Sequence, residues 1–344
     1  MKNYSNIKFF IGPMSKLTVD AVGDFCNNNS VEIGLIPSRR QIEYDGGYVC
    51  NWKTSDFSKY AKNISSKIIL QRDHGGINQC SNTVHDNDMK IYTAHASFKE
   101  DADSGFDLIH IDPWKKYRDI EEAAEETVRN IKFISEINES TMFEVGTEEA
   151  IRPYQVEDIE KFTLYLEKNL SKKDFLKIKY LVIQAGTRIS GTRNIGKFDS
   201  NRCKKMIDFC KNSGFLSKEH NGDYLNIAQM KKRFDLGLDA INVAPEFGVS
   251  ESRVILNEIK NKERADLFDK FFNLVYESKK WVKWLPSNFK ISSDEDRHTI
   301  VKVAGHYVFS KNEFYEITSE LGNINNKIKK AHTKRLEKFF RSLD

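Results

Sequence analysis

Histidines and carboxylates recur just after short apolar runs in this chain. QRDHGG sets Asp73 and His74 ahead of two glycines, and HIDPW places His110 and Asp112 two apart, on one side of a strand. FEVGTEE carries Glu144 and Glu148, VIQAGTR carries Gln184, and KEHNGDY carries Glu219, His220 and Asp223. Imidazole and carboxylate donors without a thiolate suit a divalent ion, with Zn²⁺ foremost and Mn²⁺ or Co²⁺ as alternatives, better than a thiolate-rich structural site. No H-E-x-x-H or other local signature occurs, so a single centre forms only if the fold gathers these residues. Each also has a plainer role. The Asp73 carboxylate can cap its own turn, His110 can be a hydrogen-bonded core histidine, and Asp112 can end its strand before Pro113. Glu148 and Glu149 can be first-turn helix acids. His298, His306 and His332 read as structural, and Cys203 and Cys210 as small buried hydrophobes.

The elements that must position these residues alternate. Strand-like runs fall at Lys8–Ile11, Val31–Leu35, Lys67–Leu70, Leu108–Ile111, Thr141–Val145, Leu181–Ile183, Gly214–Lys218 and Ala240–Val243. Between them lie amphipathic stretches such as Ile120–Ile137, Val156–Leu170, Asn201–Asn212, Ile227–Leu236 and Ser250–Ile259. Repeated strand–helix alternation predicts parallel βαβ units, and eight of them predict a (β/α)₈ TIM barrel, an α/β fold. A doubly wound open sheet is the competitor, but no G-x-G-x-x-G follows the first strand and no Walker A sequence occurs. In a barrel the chemistry gathers where strands end, which is where the residues above fall. We expect the barrel domain to span 1–262. Residues 263–344 form a mostly helical extension packed on it: a helix over Ala265–Trp284, a short apolar run at Val301–Val308, and helices over Lys311–Leu321 and Ile324–Leu343. The lysines and arginines of the last helix read as a solvated face or a subunit contact.

Composition narrows the function classes. The 344 residues are 39% hydrophobic and 30% charged, enough for a substantial core. Fifty-four basic against fifty acidic residues give only +4, which argues against a nucleic-acid partner. No apolar run reaches the roughly 18 to 20 residues of a membrane span, and the opening apolar stretch is too short for a secretory signal. Five cysteines, an odd number without a C-x-x-C pair, read as reduced thiols of a cytoplasmic protein.

Seven stretches carry a family resemblance: RRQIEYDGGYVCNWKTSDF, KIILQRDHGGIN, LIHIDPW, FEVGTEE, YLVIQAG, KEHNGDYLN and LDAINVAPEFGVSESRVI. In chain order they resemble the GatZ/KbaZ family, usually described as the non-catalytic subunit of class II D-tagatose-1,6-bisphosphate aldolase, some of whose relatives are ketose-phosphate 4-epimerases. The resemblance implies a barrel with a divalent cation, akin to class II aldolases. It makes Asp73 the acid/base beside metal-binding His74, and puts Glu148, Gln184 and His220 around the cation, with Glu148 also a catalytic candidate. Gln184 stands where catalytic aldolase subunits have a histidine. Two departures line the expected mouth: Arg39, Arg40, Glu43 and Tyr44 replace amide residues before GGY, and Asp112-Pro113-Trp114 replaces a DAS-like triplet.

The implied activity is retro-aldol chemistry at C3–C4 of a ketose phosphate, by cleavage as a lyase or by 4-epimerisation as an isomerase. The alternative is an accessory subunit that stabilises a separate catalytic aldolase subunit; a sugar-binding module is a third. Substrate contacts are expected from Arg39, Arg40, Gln41, Asn78, His110, Asp112, Asp223, Gly248 and Ser250. Phe247-Gly248-Val249-Ser250, opening the last barrel helix, would take a phosphate, and Arg39 with Arg40 a second anionic group. Partners are then the sugar phosphate and either further copies of the chain or the catalytic subunit.

Overall fold

The structure is a computed structural model that describes residues 2–80 and 86–344. Ten strands occur among them: β1 (Phe9–Ile11), β2 (Ile33–Leu35), β3 (Ile68–Gly75), β4 (Leu108–Ile111), β5 (Met142–Val145), β6 (Ile178–Ile183), β7 (Ile189–Ser190), β8 (Arg193–Asn194), β9 (Leu216–Glu219) and β10 (Ala240–Val243). Eight close into a barrel in the order β1-β10-β9-β6-β5-β4-β3-β2, every neighbouring pair parallel, while β7 and β8 form a small antiparallel hairpin. The chain is a (β/α)₈ TIM barrel followed by C-terminal helices.

The barrel helices are α1 (Lys16–Asn29), α2 (Thr54–Ile64), α3 (Asn87–Asp103), α4 (Ile120–Ile137), α5 (Val156–Asn169), the one-turn α6 (Lys172–Phe175), α7 (Ser200–Asn212), α8 (Ile227–Asp235) and α9 (Pro245–Asn261). Their starts are written locally. Asp119 accepts hydrogen bonds from the Glu121 and Glu122 amides at the head of α4, and Asn226 closes a capping box with Gln229 at α8. Helix α4 turns Ala123, Ala124, Thr127, Val128, Ile131 and Ile134 inward at helical spacing.

The barrel interior is layered. Phe10, Ile69, Leu108, Tyr180 and Ala240 fill the N-terminal end beneath Tyr4 and Ile7. Above them lies a polar layer in which Lys218 reaches Glu144 at 2.7 Å and Gln71 at 2.8 Å, with the ammonium 3.2 Å from the centre of the Phe10 ring. The strand ends then open into the mouth.

The extension comprises α10 (Ala265–Glu277), α11 (Asp294–Ala304), α12 (Asn312–Ser319) and α13 (Ile324–Phe340). Its hydrophobic cluster, including Phe271, Val301, Phe314 and Ile328, is built on Ile255, Leu256 and Ile259 of α9. Leu336 and Phe339 of α13 instead join the barrel cluster.

Three expectations about elements are corrected. The apolar run at Val301–Val308 is the end of α11 and a 3₁₀ turn over Gly305–Tyr307, because the Ser293–Asp296 capping box starts a helix upstream. The helix expected to run to Trp284 stops at Glu277, beyond which Lys279 takes a left-handed φ of 56° and a 3₁₀ turn covers Lys280–Trp284. Helix α9 begins at Pro245, whose ring suits the first helical position, and not at Ser250. No helix among the described residues is long and apolar enough to cross a membrane.

Candidate metal centre and active site

Consecutive residues of a regular strand face opposite sides, yet Asp73 and His74 meet at one centre. Strand β3 makes this possible: its register against β4 shifts between Arg72 and Gly75, and His74 adopts a φ of 47°. Such an irregularity re-aims side chains at a barrel rim. Gly75 is needed beside it, since a Cβ there would lie 2.8 Å from the His110 carbonyl oxygen.

Asp73, His74, His110 and His220 each place one ligand atom within 4.8 Å of the others. The imidazole centroids form a near-equilateral triangle of 5.3, 5.4 and 5.1 Å. Each ring is held from outside by one nitrogen. His74 Nδ1 lies 2.6 Å from Asp112, His110 Nε2 3.0 Å from the Gly146 carbonyl, and His220 Nε2 2.7 Å from Glu144. His74 Nε2 and His220 Nδ1 are thereby left for the centre, and His110 Nδ1 faces it while accepting a long hydrogen bond from the His74 amide at 3.3 Å. The outer partners are the kind of acceptors that fix metal-ligating histidines.

The electrostatics fit a cation. Burial alone would raise Asp73, but the imidazoles of His74, His110 and His220 hold it well below the usual carboxylate range. Burial opposes protonation of His74, yet Asp73 and Asp112 raise it to about 10. Glu144, despite full burial, is held low by Lys218, His110 and His220. Three buried carboxylates thus call for positive charge at the triangle, and Asp73 Oδ1 is buried with no hydrogen-bond partner among the described residues. These residues fit a divalent ion.

A cavity of about 240 Å³ opens onto Asp73 and His74. Arg40, Gln41 and Glu148 wall it. Glu148 is hydrogen-bonded by Asn221 and stands outside the four-residue group, so it serves the cavity wall. Asp112 is fully buried behind His74 and orients that ring.

Other expected site residues are engaged elsewhere. Gln184 donates to the Thr147 and Arg152 carbonyls, while its oxygen accepts from the Tyr154 amide at 3.0 Å and Arg202 at 2.9 Å. Every polar atom of this side chain has a protein partner, and His110 supplies the third imidazole. Arg39 is buried, paired with Glu43 at 2.5 Å and donating to the Gly76 and Thr93 carbonyls, so it braces the loop after β2 and clamps no ligand. Asp223 accepts from the Ala244 and Glu246 amides at 3.1 and 2.7 Å. It occupies the head of α9 with the protein's own carboxylate. Gly248 lies inside α9 against His306, where a Cβ would fall 2.8 Å from the His306 Cβ, and Ser250 follows on the same helix. Asn78 is exposed and does not line the cavity.

Sequence reasoning missed Gln79, Lys115 and Asn221, and all the wall supplied by the extension: Lys283, Trp284, His306 and Tyr307. Lys115 was legible as a cation just past a strand end. The extension residues carried no such signal.

No protein-family model matches this sequence, and no curated protein does. Solved structures share its fold. A probable tagatose 6 phosphate kinase from Sinorhizobium meliloti 1021 superposes with a TM-score of 0.81 at 16% identity, covering 97% of this chain and 99% of that one. The fructose-bisphosphate aldolase of Campylobacter jejuni gives 0.59 at 13% identity over 98% and 90% of the two chains. The YdjI aldolase of Escherichia coli K12 gives 0.53 at 12% identity over 94% of each. At these identities the likeness establishes the fold alone.

Proposed function

We propose that this chain is a metal-dependent, class II aldolase-like enzyme acting on a ketose phosphate by C3–C4 retro-aldol chemistry, in either cleavage or 4-epimerisation. The observation that carries this reading is the triangle of His74, His110 and His220 with Asp73 beside it at the barrel mouth. The likeness in fold to two aldolases agrees with it. A divalent ion, with Zn²⁺ foremost, would supply Lewis-acid polarisation of substrate oxygens.

The chain's own residues do the rest. Asp73, a carboxylate beside the triangle, is placed to take the proton of a substrate hydroxyl and return it to the same oxygen on recombination. Asp112 and Glu144 keep the His74 and His220 rings from turning. Glu148 and Asn221, bonded to each other at the wall, can orient hydroxyls along the carbon chain.

The test is turnover of a panel of ketose mono- and bisphosphates, read by NMR, with Zn²⁺, Mn²⁺ or Co²⁺ added to metal-stripped protein. New aldehyde signals would show cleavage, and a stereoisomer without fragments would show epimerisation. Full activity in the stripped protein contradicts the reading. A chain inert alone but needed by a separate aldolase barrel takes the accessory role instead.

A further inference from the structure

We propose that the C-terminal extension completes a phosphate subsite at the barrel mouth, where Arg40, Lys115 and Lys283 hold the phosphate of the ligand. The inference rests on the sugar-phosphate reading and adds where the anion sits and which segment recognises it.

Three cations from distant parts of the chain wall the same cavity as Asp73 and His74: Arg40 after β2, Lys115 after β4, and Lys283 in the 3₁₀ turn of the extension. Like charges brought together need a counter-charge. Among the described residues none of the three is within ion-pair distance of a carboxylate, although Asp112, Glu148 and Asp73 act on Lys115 from further away. Lys115 donates to Gln79, and the Lys283 ammonium lies 4.6 Å from the Trp284 ring centre and 5.0 Å from that of Tyr307. His306 is buried against the same cavity, and among the described residues both its ring nitrogens are unpartnered, so it has a donor to spare.

The extension is fastened over the mouth. Ser310 donates to the Tyr48 carbonyl at 2.9 Å and accepts from the Cys50 amide at 2.6 Å, and the Gly191 amide of the β7–β8 hairpin donates to the Trp284 carbonyl at 3.1 Å. Packing and the charges of Arg40, Lys115 and Lys280 draw Lys283 down to about 7. The Lys283 residue lies exposed at the rim. A phosphate dianion would offset these charges. The rival location, the head of α9, is already filled by the Asp223 carboxylate.

The test is binding of inorganic phosphate to the full-length protein, followed by ³¹P NMR with the metal present and after chelation. We expect binding in both states. K283Q and R40Q each weaken it about tenfold, the loss of one charge-assisted hydrogen bond. K283R and S250A stay within about twofold, acetate fails to compete, and circular dichroism shows every variant folded. Wild-type affinity in both K283Q and R40Q overturns the subsite, as does loss of binding in S250A or on chelation. Turnover of the panel is measured separately, so a failure here with metal-dependent turnover intact removes the subsite and leaves the enzyme reading standing.

Discussion

A histidine ligates well only when its ring cannot turn, and here each ring is held by its far nitrogen. Asp112 is the partner most cleanly separable from the centre, because its carboxylate meets His74 Nδ1 from a fully buried position. D112N is expected to lower metal affinity about 10- to 100-fold, measured by competition with a chromophoric chelator. D73N is expected to keep the metal yet lose about 10²- to 10⁴-fold in turnover; an active D73N would move the proton transfer to another group. Asp73, His74 and His220 could be singled out in the sequence because they follow strand-like runs, while their roles came from the family resemblance. His110 was legible as a site residue but not as a ligand, since a histidine within an apolar strand reads equally as core. Gln184 was misjudged for a physical reason. The groups that engage it, Tyr154 and Arg202, come from other turns of the chain and reach it only once β6, α5 and α7 have packed.

Among the elements, β3 and α9 do most to shape the site. The register shift in β3 aims two successive side chains at one centre, and nothing in IILQRDHGG beyond its glycines marks where the strand departs from regularity. Helix α9 was placed a turn late by its apolar periodicity, although Pro245 marks the start. Its Gly248 lets the 305–307 turn sit against the helix. G248A is favoured by helix propensity by about 1 kcal/mol, but its Cβ meets His306 at 2.8 Å, an overpacking that costs about 1–3 kcal/mol. We expect net destabilisation, read as a lower urea midpoint with an unchanged denaturant slope. A more stable G248A would mean that the extension yields freely at this contact.

The molecule as a whole was legible as a barrel with helices added, and its mouth was not. Periodicity and caps report which way a helix faces locally, whereas the placing of Lys283 and His306 over the cavity depends on how α10, α11 and α13 pack against α9. The extension is joined to the barrel through shared helices: Ile255 and Ile259 of α9 serve its cluster, and Leu336 and Phe339 of α13 return to the barrel's. One cooperative unfolding transition is therefore expected, coincident by tryptophan fluorescence, which reports Trp281 and Trp284 of the extension among others, and by far-ultraviolet circular dichroism. A separate early fluorescence transition would show the extension unfolding independently.

The central claim is that His74, His110 and His220 meet at one divalent ion. Titration of the metal-stripped protein with Co²⁺, followed by visible absorption, tests it most directly. We predict saturation at about one equivalent in the wild type and in Q184A, with the band lost in each of H74A, H110A and H220A. Normal Co²⁺ binding by H110A, with binding lost in a folded Q184A, would contradict it.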